Sequence, residues 1–282
     1  RKCFLKAMSH FKFELAIYIV RKRGGKAIVV KEMFNLKGHK ALVTGSSQGI
    51  GKAVALGLAE YGADVYIHCS RWRDEVESVA ETARAYGVKA YAGAADLSMD
   101  DGPQRLYEQV MGCFGGVDIL VLNASIQIRN SWKNITREEF NKQVTVNFRA
   151  SLELIQYFAP HMIEKGWGRI VTVGSVQQYK PHPDMLVYAA TKDAQLSMVK
   201  NLSRQLAGSG VTVNNLAPGV IKTNRDAHVL SDPIYMQKVL EKIPCGYTGN
   251  VNDCVGMALL LCSDAGRYIT GTDLLVDGGM HL

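Results

Sequence analysis

From Gly38 onward, short runs of Val, Ile and Leu alternate with longer stretches of helical periodicity, and few folds tolerate that alternation. The runs at 40–44, 64–68, 89–92, 118–122, 169–173, 211–216 and 273–276 read as strands buried on both faces of a parallel sheet. Helices are predicted between them, over 50–61, 74–86, 100–114, 137–165, 188–207 and 251–263. Parallel neighbours need a crossover at each step, and helical crossovers cover both faces of the sheet. The expected architecture is α/β, a doubly wound parallel sheet in a single domain. Thr136-Arg-Glu-Glu139 starts the fourth helix as a capping box, in which Thr136 and Glu139 each satisfy a backbone N–H. Segment 224–244 is the least regular and is read as a short helical lid.

Charge separates the chain into two parts. Of 33 basic and 26 acidic residues, nine and two fall within residues 1–32, so the remainder holds 24 of each. The formal charge of +7 therefore belongs to the leader. The body has no charge-based claim on nucleic acid. Residues 1–37 are expected to form a basic N-terminal extension, foreign to the fold or disordered; a peripheral arm and a nucleic-acid tail are the other readings. The domain is then 38–282. The apolar stretch 15–20 is flanked by Glu14 and Arg21-Lys-Arg23 and is too short to span a membrane. It lacks a small-residue cleavage site, which argues against a secretory signal. The six cysteines, Cys3 among them, show neither close pairing nor metal-ligand spacing, and no histidine is assigned to a metal. Cys69, Cys254 and Cys262 are expected as buried free thiols, which fits a reduced, cytoplasmic location.

Between the first strand and the first helix lies Thr44-Gly-Ser-Ser-Gln-Gly-Ile-Gly51. Gly45 allows a tight turn, while Gly49 and Gly51 let backbone approach a phosphate and helix pack on strand. The helix N-terminus adds free N–H groups and a partial positive charge. Glycines also punctuate ordinary strand–helix turns. In the first βαβ unit, however, Gly45, Ser47, Gln48, Gly49, Ile50 and Gly51 point to a dinucleotide pyrophosphate in a Rossmann fold. The second strand ends in His68-Cys-Ser-Arg-Trp-Arg73, without the acid that would bind the ribose 2′-hydroxyl of NAD(H). Ser70 and Arg71 stand there instead, and a guanidinium pairs with a 2′-phosphate. The cofactor is predicted to be NADP(H) rather than NAD(H); the bland reading makes Arg71 and Arg73 solvated charges on the next helix.

Tyr188 and Lys192 stand one turn apart on one face of the helix predicted over 188–207. A free phenol titrates near pH ~10, too high for efficient proton transfer at neutrality. A neighbouring ammonium stabilises tyrosinate and lowers that value. The same spacing recurs at Tyr18 and Lys22, which are given no role, so context and not spacing separates the two pairs.

That context is a resemblance. Residues 38–279 resemble the short-chain dehydrogenase/reductase family in its single-domain branch. The matches run in family order: the glycine turn, Asp96-Leu97, Asn123-Ala124, Asn147, Ser175, Tyr188-Ala-Ala-Thr-Lys192, Pro218-Gly219 with Thr223, and Val276-Asp-Gly-Gly279. The resemblance implies an oxidoreductase acting on CH–OH or C=O, with Asn147, Ser175, Tyr188 and Lys192 as its catalytic set. Asp96, Leu97, Asn123, Ala124, Tyr188, Lys192, Pro218, Gly219 and Thr223 join the glycine turn in holding the cofactor. By the same resemblance Lys192 holds the nicotinamide ribose, Asn147 anchors a water that relays protons to Lys192, and helices 137–165 and 188–207 pack between subunits of a homotetramer. Two departures stand out. Leu122 replaces a polar residue that would help fix neighbouring backbone, and Ser125 brings a Cβ where the family has glycine. Substrate walls are expected at 125–130, 176–183 and after Gly219, including Gln127, Arg129, Gln177, Gln178, Tyr179, Asn224, Arg225, His228 and Tyr235. That polar set favours a hydroxylated or anionic carbonyl compound. Similar proteins include 3-oxoacyl-thioester reductases and sugar or polyol dehydrogenases. The alternative function is a catalytically silent NADP(H)-binding sensor or scaffold.

Overall fold

The computed structural model describes residues 29–224 and 231–282. Most of the basic leader, with Cys3 and the Tyr18/Lys22 pair, and Arg225 and His228 of the expected lid lie outside the described residues. The chain divides into two units, of which the second, Phe34–Leu282, is compact.

The second unit is built on seven strands: β1 Lys40–Val43, β2 Asp64–Cys69, β3 Ala90–Ala94, β4 Ile119–Leu122, β5 Gly168–Val173, β6 Val211–Pro218 and β7 Asp273–Val276. All pair in parallel, in the order β3-β2-β1-β4-β5-β6-β7. The pleat explains the unbroken apolar runs. Ala41, Val43, Ile119 and Val121 pack into one layer with helices α1 Gly49–Glu60, α2 Asp74–Arg84 and α8 Val255–Cys262. Leu42, Leu120 and Leu122 pack into the other with α3 Gly102–Phe114, α5 Ala150–Lys165 and α6 Leu186–Leu206. Each such aliphatic side chain contributes roughly 1.5–3 kcal/mol on burial, which favours this register over a slip that would exchange the layers. The strand order reverses between β1 and β4, and a crevice forms above their carboxyl ends.

The helix expected over 137–165 is interrupted. α4 Arg137–Val144 starts at the predicted capping box, with Thr136 Oγ1 accepting from Glu139 N–H at 3.2 Å and Glu139 Oε2 accepting from Thr136 N–H at 3.0 Å. A π turn, Thr145–Arg149, then separates α4 from α5. It contains Asn147, whose side chain is drawn to the segment after β4: Oδ1 accepts from Ile126 N–H at 2.7 Å and Nδ2 donates to Ile126 O at 2.9 Å. A wider turn of this kind commonly marks a functional position in a helix. The helix expected over 251–263 is a 3-10 turn, Val251–Cys254, followed by α8. The lid holds one short helix, α7 Pro233–Leu240, capped by Asp232 accepting from Ile234 N–H at 2.9 Å. Cys69, Cys254 and Cys262 are buried free thiols, and Cys113 and Cys245 are exposed. Among the described residues, no helix is long and apolar enough to cross a membrane.

Candidate active site

The glycine turn is held from both sides. At Gly45, φ is +63° and a Cβ would lie 3.0 Å from Ala124 Cα, so conformation and space both require glycine. A Cβ at Gly51 would run into the Gly45 carbonyl at 2.5 Å and into the Asn123 amide, so glycine here lets α1 lie close on the turn. Thr44 Oγ1 accepts from Asn123 and Ala124 N–H, each at 3.0 Å, and Asn123 Nδ2 donates to the Thr44 and Gly45 carbonyls, each at 2.9 Å. The end of β4 thus clamps the turn on one flank.

His68, at the end of β2, does so on the other. Its Nδ1 accepts from Gly45 N–H at 3.1 Å and its Nε2 donates to Ala95 O at 2.9 Å. Both bonds need a neutral ring, and burial pushes its pKa down to about 4. Nothing in the motif pointed to His68; the available signal was a polar ring inside an apolar strand run.

Above the turn opens a cleft of about 580 Å³, a volume suited to a small-molecule ligand. Of the residues expected at the site, Gly45, Ser47, Gln48, Gly49, Ile50, Ser70, Arg71, Asp96, Leu97, Asn123, Ala124, Ser175, Tyr188, Pro218, Gly219 and Thr223 line it. Gly51, Asn147 and Lys192 are buried beside it instead. Gln48 spends no side-chain hydrogen bond on capping α1, so the helix N-terminus beside Gly49 and Ile50 is left to an anion. Asp96 Oδ1 accepts from Ser98 N–H at 3.0 Å and Ser98 Oγ–H at 2.7 Å. Burial would raise its pKa, but those bonds and the charges of Arg71 and Lys142 outweigh it and hold it below the ordinary value. Arg71, Arg73 and Lys142 therefore share this end of the cleft with Asp96.

Ser175 and Tyr188 line the same cleft. Ser175 leaves β5 and caps the 3-10 turn Val176–Gln178, its Oγ accepting from Gln177 N–H at 3.2 Å. The hydroxyl proton stays available for another acceptor. Tyr188 and Lys192 share a face of α6, with Lys192 Nζ 5.7 Å from the Tyr188 ring centre. Lys192 is fully buried and donates to Val173 O at 2.7 Å and Gln195 Oε1 at 2.9 Å. Asn147 reaches the same helix through Nδ2, which donates to Thr191 Oγ1 at 3.1 Å, and Thr191 Oγ1 in turn donates to Tyr188 O at 2.7 Å.

The outer wall partly matches expectation. Ser125, Gln127, Arg129, Gln177, Asn224 and Tyr235 line the cleft. Gln178 and Tyr179 do not: Gln178 Oε1 accepts from Ser175 N–H at 2.9 Å, and Tyr179 OH donates to Asp273 at 2.6 Å, so both side chains are committed to the framework. Lys242 also lines the cleft, as does Lys142 near Asp96, and the sequence carried no periodic signal for either. Leu122 packs into the second layer, and the polar support expected at its position comes from Thr44 and Asn123.

A family model described as enoyl-(acyl carrier protein) reductase matches residues 45–281. A 3-oxoacyl-(acyl-carrier-protein) reductase of Staphylococcus epidermidis is 35% identical over 86% of this chain and 98% of its own length. The chain belongs to the short-chain dehydrogenase/reductase family. A second relative of this short-chain dehydrogenase/reductase, gluconate 5-dehydrogenase of Gluconobacter oxydans, is 33% identical over 88% of this chain and 97% of its own. Among solved structures, a 3-oxoacyl (acyl-carrier-protein) reductase from Agrobacterium tumefaciens with NADP bound has a TM-score of 0.85 at 36% identity, covering 90% of this chain and 98% of that one. A gluconate 5-dehydrogenase from Burkholderia cenocepacia in complex with NADP and tartrate has a TM-score of 0.84 at 31% identity, covering 89% and 98%. As a short-chain dehydrogenase/reductase the protein is an oxidoreductase.

Proposed function

We propose that this oxidoreductase transfers a hydride between NADP(H) and the carbonyl or secondary alcohol of a small polar substrate, with Tyr188 as general acid and base. The observation that carries the proposal is one cleft shared by the glycine turn, Arg71, Ser175 and Tyr188, with Lys192 Nζ 5.7 Å from the tyrosine ring. The residues suit NADP(H). The turn leaves no room for side chains at Gly45 and Gly51, the N-terminus of α1 suits a pyrophosphate, and Arg71 suits a 2′-phosphate. When bound, the dinucleotide would supply the hydride in its reduced form and accept it in its oxidised form. During reduction Tyr188 gives its phenolic proton to the substrate oxygen, and during oxidation it takes that proton back. Ser175 donates a hydrogen bond to the same oxygen as charge develops there. The Lys192 ammonium stabilises the tyrosinate, and Asn147 holds Ile126 and Thr191 around the pair.

The substrate end of the cleft carries Arg129, His182 and Lys242, with Arg129 Nη1 3.3 Å from Tyr235 OH. Of the described residues lining the cleft, Asp96 is the lone carboxylate, and it sits with Arg71 and Lys142. An anionic, hydroxylated carbonyl compound, or the alcohol it is reduced to, suits this wall; gluconate, in the name of two relatives, is an alcohol of that kind. The assembly we propose is a homotetramer, with the π turn, α5 and α6 packing between subunits through the half-buried Phe148, Leu152 and Leu202. Residues 1–32 are proposed as an extension that turnover does not need, so their deletion leaves kcat unchanged, whereas Leu36, expected within the extension, is buried in the core of the second unit.

The test follows NADPH absorbance over a panel of keto acids, sugar acids, neutral ketones and 3-oxoacyl thioesters, with wild type and Tyr188→Phe. Turnover of a carboxylate-bearing carbonyl by wild type, lost in the variant, supports the proposal. A protein that binds NADPH yet oxidises it with no carbonyl is the silent sensor instead. Ser175, Tyr188 and Lys192 all being present, with two of them open to the cleft, favours the enzyme.

A further inference from the structure

Beneath the cleft runs a buried polar chain, two members of which, Gln195 and Ser151, have no part in the chemistry proposed above. Lys192 Nζ donates to Gln195 Oε1 at 2.9 Å, Gln195 Nε2 donates to Ser151 Oγ at 2.9 Å, and Ser151 Oγ donates to the Asn147 carbonyl at 3.2 Å. Lys192, Gln195, Ser151 and Asn147 are all buried. Gln195 lies on α6 three residues after Lys192, and Ser151 lies at the start of α5, four residues after Asn147. Two polar side chains thus occupy a helix–helix contact that could have been filled by apolar packing.

We propose that Gln195 is a positioning residue for Lys192, and that Ser151 sets the direction in which its amide points. The polarity of the chain is determined from its far end. The Asn147 carbonyl can only accept, so the Ser151 hydroxyl spends its proton there and is left to accept from Gln195. Gln195 must then turn its NH₂ toward Ser151 and its Oε1 toward Lys192. A flipped amide would set NH₂ against NH₃⁺ at one end and two acceptors against each other at the other. With Val173 O, Gln195 Oε1 gives the buried ammonium two oriented dipoles, which favour its charged form against the cost of desolvation. The proposal rests on the reading of Lys192 and Tyr188 given above.

Other charged groups near the pair are known. Asp193 follows Lys192 on α6, and burial with the charge of Asp273 on β7 raises its pKa, while Lys200 opposes. From β5 comes the Val173 carbonyl, and from the π turn and α5 come the neutral Asn147 and Ser151. On the cleft side Arg129, Lys142, His182 and Lys242 line the same space as Tyr188. None of these groups changes when Gln195 is replaced, so a shift in that variant belongs to the lost amide.

The test titrates Tyr188 directly and needs no substrate. The ultraviolet absorbance of tyrosinate is followed against pH with NADP bound, in wild type, Gln195→Leu and Ser151→Ala, each after subtraction of the same protein carrying Tyr188→Phe. The expected result is a Tyr188 titration moved upward by about one pH unit in Gln195→Leu and by less, in the same direction, in Ser151→Ala. NADPH affinity changes less than about threefold in both, as for residues that do not touch the cleft. Curves that superimpose on wild type in both variants overturn the proposal. Should Gln195→Leu fail to fold, Ser151→Ala decides alone, and an unshifted curve there overturns it. A wild-type Tyr188 that titrates like an ordinary phenol overturns the proposed function itself, and this inference with it.

Discussion

At the amino-terminal edge of the sheet, Asp118 is fully buried and accepts from Lys165 Nζ at 2.7 Å and Lys40 N–H at 3.0 Å, with His39 and His161 within 3.7 Å. Beside it Arg169, also buried, donates to Asp264 and to the carbonyls of Gly168, Gly210 and Ser263 while lying 4.2 Å over the Trp167 ring. At the carboxyl-terminal edge Lys192 is just as buried, but two of the oxygens it donates to belong to a backbone carbonyl and an amide. The difference is one of partner chemistry. A carboxylate cancels the field of its cation and ties strands, loops and helix ends into one knot. Neutral oxygens hold a cation while leaving its field to act on a neighbour, here Tyr188 at 5.7 Å. One edge uses buried charge for cohesion, and the other, under the proposed function, keeps it for proton chemistry.

If this contrast holds, substitutions at the two edges separate activity from stability. Tyr188→Phe lowers kcat by roughly a thousandfold, within the range of a lost general acid, while Tm and NADPH affinity stay near wild type. Asp118→Ala does the reverse. It costs about 3 kcal/mol, the low end for breaking a buried pair because Lys165 is 39% exposed and can turn to water. The surviving folded protein keeps its kcat. Stopped assays at saturating substrate and urea titrations measure the two quantities independently, and a Tyr188→Phe protein that melts early would break the contrast.

The two edges were not equally legible in the sequence. All seven strands lie within two residues of the expected runs because burial on both faces leaves a direct mark on composition. The glycine turn was visible because Gly45 and Gly51 answer to local conformation and contact. What stayed hidden depends on contacts between distant segments. The π turn at Asn147 exists because its amide engages Ile126, 21 residues away. His68 reads as a strand residue until Gly45 and Ala95 are brought against its ring. The knot at Asp118 joins residues 47 and 78 positions apart, and no spacing rule links them. Gln178 and Tyr179 were expected at the cleft from loop position alone, but fixed partners behind the loop took them.

Acid separates the edges a second way. His68 has a native pKa of about 4 against ~6.5 for a free histidine, so between those values the unfolded chain binds a proton that the native one refuses. Its contribution is complete above pH ~6.5 and drains away as pH falls toward 4, by about 3 kcal/mol at most. Asp118 is opposed by burial, but bonds from His39, Lys165 and the Lys40 amide hold its pKa well below the usual carboxylate range. Its contribution is complete above ~3.9 and is lost only as pH falls further, through the native value. Urea unfolding at stepped pH should therefore show stability falling first through His68 and only later through Asp118. His68→Asn flattens the first window and leaves the second. A variant that keeps the slope between pH 6.5 and 4 would remove His68 as its source.

The smallest expected effect bears on the cleft's own charge. Arg71 follows β2 beside the space where a 2′-phosphate would sit, sharing that end with Asp96, Arg73 and Lys142. Arg71→Ala should raise the Kd for NADPH roughly ten- to a hundredfold, the worth of one charge-assisted pair, and leave NADH nearly unchanged. Cofactor fluorescence titration gives both numbers. Because Arg71 is solvent-exposed, the selectivity ratio of wild type should also shrink as salt is added, whereas that of the variant should not. Equal losses for the two dinucleotides would mean that Arg71 does not read the phosphate. If Arg73→Ala then changed the ratio where Arg71→Ala did not, the reading residue would be the N-cap of α2 rather than the end of the β2 loop.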